Sequence, residues 1–529
     1  MNCREAENCC TGTTDKCLTF FLQGTDHWPD DIASNLRYQK TFRLEHGRGR
    51  TLLECQYSRC ATAKLKISKR KRRQTMKNFT VMTLMCAMSS MTLADTHQVR
   101  LDVSPVYGVL KSGENQTTWI RVGLAGFKLE SGNKRAGVNL AIVLDKSGSM
   151  QGEKIKRARE AAIDAINLLS NDDIVSIITY DSTVNVLVPS TKLTDKKAVI
   201  AAITGIQPGG NTALFAGVSK GAAEVRKFLD KERVNRVILL SDGLANVGPS
   251  SPGELASLGK SLIKENMSVS TLGLGLGYNE DLMVQLAGAS GGNHLFIEDA
   301  SELADVFRSE FNDVLSVVAQ EIDVRISIPK GIRPVRVLGN DADINGQDIV
   351  TRLAQIYSEQ DKYVVIEVEM SAAKNDSHLE LATVSVNYAN MKTHESDKLS
   401  GGAKISFSDD DKKVSASLNH RAMADVVALF SSEQNKLATK YLDDGDLMKC
   451  RQVLKENVDY LNINAMLCPT DSVRLKGLAV QNDVQLEQLQ GVTSNRDVKA
   501  NLTRKSFRYY QNAVDVQQRA SNTPMPEDN

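Results

Sequence analysis

A chain of 529 residues has room for about three domains at ~150 residues each, and its 24% charged and 41% hydrophobic content is that of an ordinary globular protein. A formal net charge of +1 excludes an electrostatic case for nucleic-acid binding by the whole chain. The balance conceals an asymmetry, because residues 1–75 carry 15 Lys and Arg against 8 Asp and Glu while the remainder is mildly acidic.

The basic head holds Cys3, Cys9, Cys10, Cys17, Cys55 and Cys60. Neither Cys9-Cys10 nor the pair His27 and His46 has the spacing of a zinc site. From Met76 the chain reads MKNFTVMTLMCAMSSMTLADTHQ. Lys77 gives a positive start, residues 79–93 are mostly apolar or small, and Thr92-Leu93-Ala94 ends on a small residue where a signal peptidase would cut. That is the three-part form of a secretory signal peptide, too short and too weakly apolar for a good membrane span. Residues 76–94 are therefore expected to be a signal peptide starting at Met76, and 1–75 an upstream, non-native extension. The alternative is that 76–94 is a buried helix of a genuine N-terminal domain. Cys86 follows Leu84-Met85, a poor setting for lipidation. The basic run Lys69–Arg73, lying before a signal peptide, is no argument for nucleic acid. Beyond Ala94 no apolar run approaches the ~18 residues needed to cross a bilayer.

Residues 95–135 carry strand-like VRLDV and WIRVGLAGFKL. Residues 136–320 then alternate strand and helix. VNLAIVLD (138–145) is a continuous apolar run ending in Asp, as a buried parallel strand would, and VNRVILLSD (234–242) reads as a second buried strand ending in Asp. IVSIITYD is a third strand, with VNVLVP as a short antiparallel neighbour. Helices are expected over 153–170, DKKAVIAAITGI, ALFAGVSKGAAEVRKFL, 252–266, 279–288 and 301–319, and strands over 268–274 and 294–298. The pattern is α/β, a doubly wound and mostly parallel sheet. Residues 321–416 turn β-rich, with EIDVRISIP, VRVLG, KYVVIEVEM, LELATVSVNYA and KVSASL as strands and Asn345-Gly346 as a hairpin signal. The early strands have no partners before the α/β domain begins, so they are expected to join those of 321–416 in one β-sandwich, with the α/β domain inserted. Residues 417–520 read as helical, and the tail 521–529 as disordered by composition.

Ligands of open α/β sheets sit outside the carboxyl ends of the strands. Two strands end there in Asp145-Lys146-Ser147-Gly148-Ser149 and Ser241-Asp242-Gly243, and Pro208-Gly209-Gly210-Asn211-Thr212 forms a loop directly before a helix. Two carboxylates and three hydroxyls are a hard, all-oxygen donor set. It suits Mg²⁺ or Mn²⁺ and offers zinc neither His nor Cys.

D-x-S-x-S after a buried strand, a Thr on a Gly-rich loop and a second Asp on an SDG turn resemble the metal-ion-dependent adhesion site of the von Willebrand factor A family. Asp145, Ser147, Ser149, Thr212 and Asp242 match all five positions. ITYDSTVNVLVP, GGNTAL, LLSDGLANVG and GLGYNEDLM resemble the family's bacterial secreted members over about 185 residues. The resemblance implies that Ser147 and Ser149 bind Mg²⁺ (or Mn²⁺) directly, that Thr212 joins or leaves, and that the Asp residues often act through water. It implies as partner a protein offering an Asp or Glu carboxylate to the open coordination position. It also implies a last helix, here 301–319, that moves when the site switches; its stripe Leu303, Phe307, Phe311, Val314 and Val318 is core packing in any case. The Gly209-Gly210 pair is expected to leave the Thr212 loop mobile.

Competing motifs fail on context. Gly288-Ala289-Ser290-Gly291-Gly292 fits G-x-S-x-G, but a helix precedes the Ser where a hydrolase elbow needs a strand. Gly273, Gly275 and Gly277 do not make G-x-G-x-x-G. The expected function is an extracytoplasmic, non-enzymatic binding or adhesion module, in a periplasm or at the cell surface. The alternative is an intracellular assembly factor for a multiprotein or ATPase complex. Cys450 and Cys468, alone in an exported body and assigned to a helical hairpin, are expected to form a disulfide.

Export has a direct readout. Mass spectrometry of the protein from its native host should find no peptides from residues 1–75 and a mature N-terminus near Asp95; abundant head peptides in the mature form would refute the assignment.

Overall fold

The computed structural model describes residues 97–129 and 135–518. The readings placed on residues 1–75, 76–94 and 521–529 lie outside them. Three strands come first: β1 (Val99–Pro105), β2 (Val109–Lys111) and β3 (Gln116–Gly126). The α/β domain follows, with β4 (Gly137–Asp145), α1 (Glu153–Leu168), β5 (Ile174–Tyr180), β6 (Val184–Lys192), α2 (Lys196–Thr204) and α3 (Leu214–Arg226). It continues through β7 (Arg233–Ser241), α4 (Pro252–Lys264), β8 (Ser268–Leu274), α5 (Glu280–Ser290), β9 (His294–Ile297) and α6 (Leu303–Leu315).

The domain's sheet runs β6-β5-β4-β7-β8-β9, all parallel except the edge strand β6. Strands β4 and β7 are buried along nearly their whole length because helices cover both faces: Val138, Leu140, Ile142, Val237 and Leu239 have no exposed surface, and the polar Asn139, Asn235 and Arg236 are buried with them. The helices supply apolar faces at 3.6-residue spacing, as Ile155, Ala158, Ala162 and Ile166 do on α1. Strand order reverses between β4 and β7, and this switch point is where Asp145 and Asp242 lie.

The chain then forms β10 (Val317–Ser327), β11 (Ile332–Leu338), β12 (Ala342–Asn345), β13 (Asp348–Tyr357), β14 (Asp361–Met370), β15 (His378–Asn390) and β16 (Ser396–Ser408). Two sheets, β1-β3-β14-β11 and β12-β13-β10-β15-β16-β2, enclose a core that includes Ile120, Val122, Ile322, Val364 and Phe407. Strands from before and after the α/β domain thus share both sheets. Exit and return lie side by side: a Cβ added to Gly126 at the end of β3 would stand 3.1 Å from Val318 Cγ2 near the start of β10. A short α7 (Asp411–Ala416) leads to α8 (His420–Asp443), α9 (Leu447–Leu467), α10 (Ser472–Gln488) and α11 (Val498–Asp515). Arg121 of β3, buried, donates to Asp425 of α8, and Lys505 of α11 donates to Glu280 of α5, so the helical region grips both other parts.

Several expectations change. The helix assigned to 301–319 stops at Leu315, and Val318 belongs to the sandwich core. KVSASL lies mostly in α7, capped by the Asp410 carboxylate on the Lys412 amide. The strand actually present nearby is β16, whose polar, glycine-containing sequence pairs along most of its length with β15. The expected disulfide is overturned. Cys450 lies in the first turn of α9 and Cys468 at its C-cap, about 27 Å apart at 1.5 Å per residue, far beyond the ~7 Å that a bridge tolerates. The intervening segment is one helix and no hairpin. Both thiols are free and buried in separate apolar clusters, and burial pushes that of Cys450 up to about 12.

A further buried ion pair, within the α/β domain, also reaches the sandwich. Arg236 of β7 is fully buried and bonds to Glu310 of α6 at 2.6 Å, to Ser270 of β8 at 2.8 Å, and across to Gln355 and Tyr357 of β13. Glu310 also accepts from Ser270 and from Asn293. Removing one member of such a pair strands a buried charge, whereas replacing both with apolar groups costs far less. Glu310→Ala should lower the stability by about 3–5 kcal/mol in urea unfolding, and Arg236→Met with Glu310→Leu should recover most of that loss. Equal destabilisation by the single and the double variant would refute this account.

Candidate metal centre

Asp145 ends β4 with its carboxylate fully buried. Oδ1 accepts the Ser147 amide at 2.8 Å and Oδ2 accepts Ser241 Oγ at 2.8 Å. Burial pushes its carboxyl above the usual range, and the neighbouring Asp242 adds to the push, against the hydrogen bonds from Ser147 and Ser241. The chain then makes a single 3₁₀ turn, Gly148–Met150, anchored by the fully buried Met150. That turn brings Ser147 Oγ and Ser149 Oγ to 3.1 Å from each other, and Ser149 donates to Asp242 Oδ1 at 2.7 Å.

The loop before α3 is tied to the first loop through its backbone. The Gly148 amide donates to the Gly210 carbonyl at 3.0 Å, and the Gly209 amide to the Lys146 carbonyl at 2.7 Å. Gly210 sits at φ +86°, where a side chain would be strained. Thr212 is buried, and its amide donates to Asn246 Oδ1 at 2.9 Å while the Asn246 amide returns a bond to the Thr212 carbonyl. These bonds tie the Gly209-Gly210 loop to the loops on either side of it.

All five residues singled out from the sequence therefore meet at one edge of the sheet. The three hydroxyls converge over Gly243: a Cβ there would stand 3.2 Å from Ser149 Oγ, 3.3 Å from Thr212 Oγ1 and 4.0 Å from Ser147 Oγ. A small cradle rimmed by hydroxyls with two carboxylates behind them fits a hard divalent cation. Among the described residues no group of three or more His, Cys, Asp and Glu is placed to hold a metal; this edge instead combines two carboxylates with three hydroxyls. The outer face is open: Ser149 is exposed, and Leu244, on the loop after Asp242, is 60% exposed.

Sequence reasoning missed the roles of three residues of this edge. Ser241 and Asn246 fix Asp145 and Thr212, and only the three-dimensional approach of the loops shows it. Lys154, in the first turn of α1, donates to Asp242 Oδ2 at 2.6 Å; its spacing from D-x-S-x-S was the available signal. The G-x-S-x-G match is a helix end: Ser290 is fully buried and donates to the Leu286 carbonyl at 2.8 Å, and Gly291 stops α5 at φ +68°.

An open α/β domain with an oxygen-only site at its switch point, inserted into a β-sandwich, is the class that fold and site define. Residues 139–309 match the family model described as von Willebrand factor type A domain, and the chain carries a domain of that family. An uncharacterised protein of Synechocystis sp. is 23% identical over 337 residues, 62% of this chain and 79% of the relative. The uncharacterised protein YfbK of Escherichia coli is 30% identical over 204 residues, 38% of this chain but only 36% of the relative. The structure described as von Willebrand factor type A from Catenulispora acidiphila superposes with a TM-score of 0.59 at 17% identity, covering 75% of this chain and 89% of its own. That likeness extends well beyond the α/β domain. Among the described residues no helix is long and apolar enough to cross a membrane.

Proposed function

We propose that this chain is an exported, non-enzymatic module that binds a protein partner through a divalent cation, Mg²⁺ or Mn²⁺, held at the edge of its α/β domain. The observation that carries the reading is the convergence of Ser147, Ser149 and Thr212 over Gly243, backed by Asp145 and Asp242. Protein interaction is the general role of the domain family, which supports the same reading.

The division of labour follows from the hydrogen bonds. Ser147 and Ser149 present hydroxyl lone pairs to the cation from a turn that Met150 locks into the core. Asp145 is held by the Ser147 amide and by Ser241, so it offsets positive charge from a fixed position and gives the site electrostatic depth. Thr212 is steered by Asn246 and faces the serines from the opposite loop. Bound there, the cation supplies an open coordination position that a partner's Asp or Glu can fill. Leu244 stands exposed beside that position and offers apolar contact, the usual companion of a central polar anchor in a protein interface.

Calorimetric Mg²⁺ titration and thermal melts test the proposal. Wild type should bind Mg²⁺ and melt a few degrees higher with it than with chelator, since a ligand that binds only the folded state stabilises it. Asp145→Ala should abolish the binding while leaving the fold intact, and Thr212→Ala should weaken it less. Gly243→Ala should weaken it as well, because its methyl group fills the cradle. A wild type without a metal-dependent rise in melting temperature, or an Asp145→Ala variant that binds as wild type does, would overturn the reading.

A further inference from the structure

Asp242 is the member of the donor set that already has a cation. Its carboxylate is fully buried; Oδ1 accepts Ser149 Oγ at 2.7 Å, and Oδ2 accepts Lys154 Nζ at 2.6 Å. Lys154 reaches it by a built route. Gly152, at φ +85°, turns the chain sharply between the Gly148–Met150 turn and α1, and this places the first-turn lysine back over the site. Its stem then crosses the loop after β8: a Cβ on Gly275 would lie 3.8 Å from Lys154 Nζ and 4.0 Å from Cε. The lysine side chain is only 35% exposed. The other lysine of the first loop, Lys146, is engaged elsewhere, on Asp181 of the neighbouring loop.

We propose that Lys154 is a tethered counter-cation that competes with the divalent cation for Asp242 and so sets the concentration at which the site loads. This rests on the metal-binding reading given above. The physical argument has two parts. Both oxygens of Asp242 are occupied, one by a hydroxyl that must turn its lone pair toward a cation and one by the ammonium. A cation or its coordinated water that uses Oδ2 must share that oxygen with the Lys154 ammonium or displace it. An ammonium that stays beside the loaded site repels the dication, and at this range, on a partly buried edge, such repulsion is not fully screened. In the absence of dication the same ammonium offsets the charge of a buried carboxylate. Lys154 thus stabilises the unloaded site and opposes the loaded one.

The test compares Lys154→Met, which keeps an apolar stem and removes the charge, with Lys154→Arg, which retains it. Mg²⁺ titration calorimetry and melts with chelator or with Mg²⁺ are run on both and on wild type. Lys154→Met should bind Mg²⁺ at least about tenfold more tightly than wild type, the effect of one unit charge ~6 Å from a dication at the dielectric of bulk water. With chelator it should melt lower than wild type, and the gain in melting temperature on adding Mg²⁺ should be larger. Lys154→Arg should stay close to wild type. If wild type binds Mg²⁺ and Lys154→Met binds it equally or more weakly, the competition is refuted and the metal site stands. If neither binds, the metal reading falls and this inference with it.

Discussion

The buried Arg236 is the constraint on which the arrangement depends. A guanidinium without exposed surface must have its donors satisfied, and here the partners come from three sources: Glu310 on the last helix of the α/β domain, Ser268 and Ser270 on β8, and Gln355 and Tyr357 on the sandwich. The pairing raises the affinity of Arg236 for its proton despite burial, and burial raises the Tyr357 hydroxyl to about 12, so neither titrates in the physiological range. The net stability such a pair adds is small, because desolvation offsets the attraction, whereas parting it leaves an uncompensated buried charge. The pair fixes the angle of the inserted domain on its host and the height of α6 against the sheet. Any sliding of α6 must first part Glu310 from Arg236, Ser270 and Asn293.

The domain's opposite edge obeys a different logic. There the carboxylates are gathered without a buried guanidinium to offset them. Asp145 is held only by neutral donors, and its carboxyl is pushed above the ordinary range. Asp242 has one ammonium, on a side chain that water still reaches. Folding energy is invested in holding negative charge at an edge where strand order leaves a crevice. An arrangement of that kind repays its electrostatic cost when a cation binds, which is why the donor chemistry of the edge weighs more in the functional argument than its depth or size.

Much of this edge was legible in the sequence because its signals are local. A short, β-branched apolar run that stops at Asp reads as a buried strand reaching its end, and two such strands with a Gly-rich loop between them mark the crevice. The insertion was legible for a similar reason, since strands without partners must find them elsewhere. What escaped was whatever depended on contacts distant in sequence. Strand β16 carries Gly401 and Gly402 and alternates weakly because one face meets water; its pairing with β15 supplies the order that its composition lacks. KVSASL has strand-like alternation over too few residues to separate it from one and a half helical turns, and the Asp410 cap decides the matter. Cys450 and Cys468 misled because counting cysteines presupposes a turn between them, and residues 447–467 contain neither Gly nor Pro to make one.

The roles of Ser241, Asn246 and Lys154 belong to a third kind of information. Each residue is unremarkable alone, and each acquires meaning from the atom it meets: Ser241 from Asp145, Asn246 from the Thr212 backbone, Lys154 from Asp242. The first two hold ligating groups in position with neutral hydrogen bonds, which cost nothing electrostatically when a cation arrives. The third holds a ligating group with a charge, which must be displaced or tolerated. A site supported by neutral bonds alone would bind its cation as tightly as its donors allow. On the proposed reading, one lysine on the first turn of the following helix would lower that affinity without altering the donor set. The motif residues would then fix which class of cation the edge accepts, and the residue outside the motif would adjust how readily it does so.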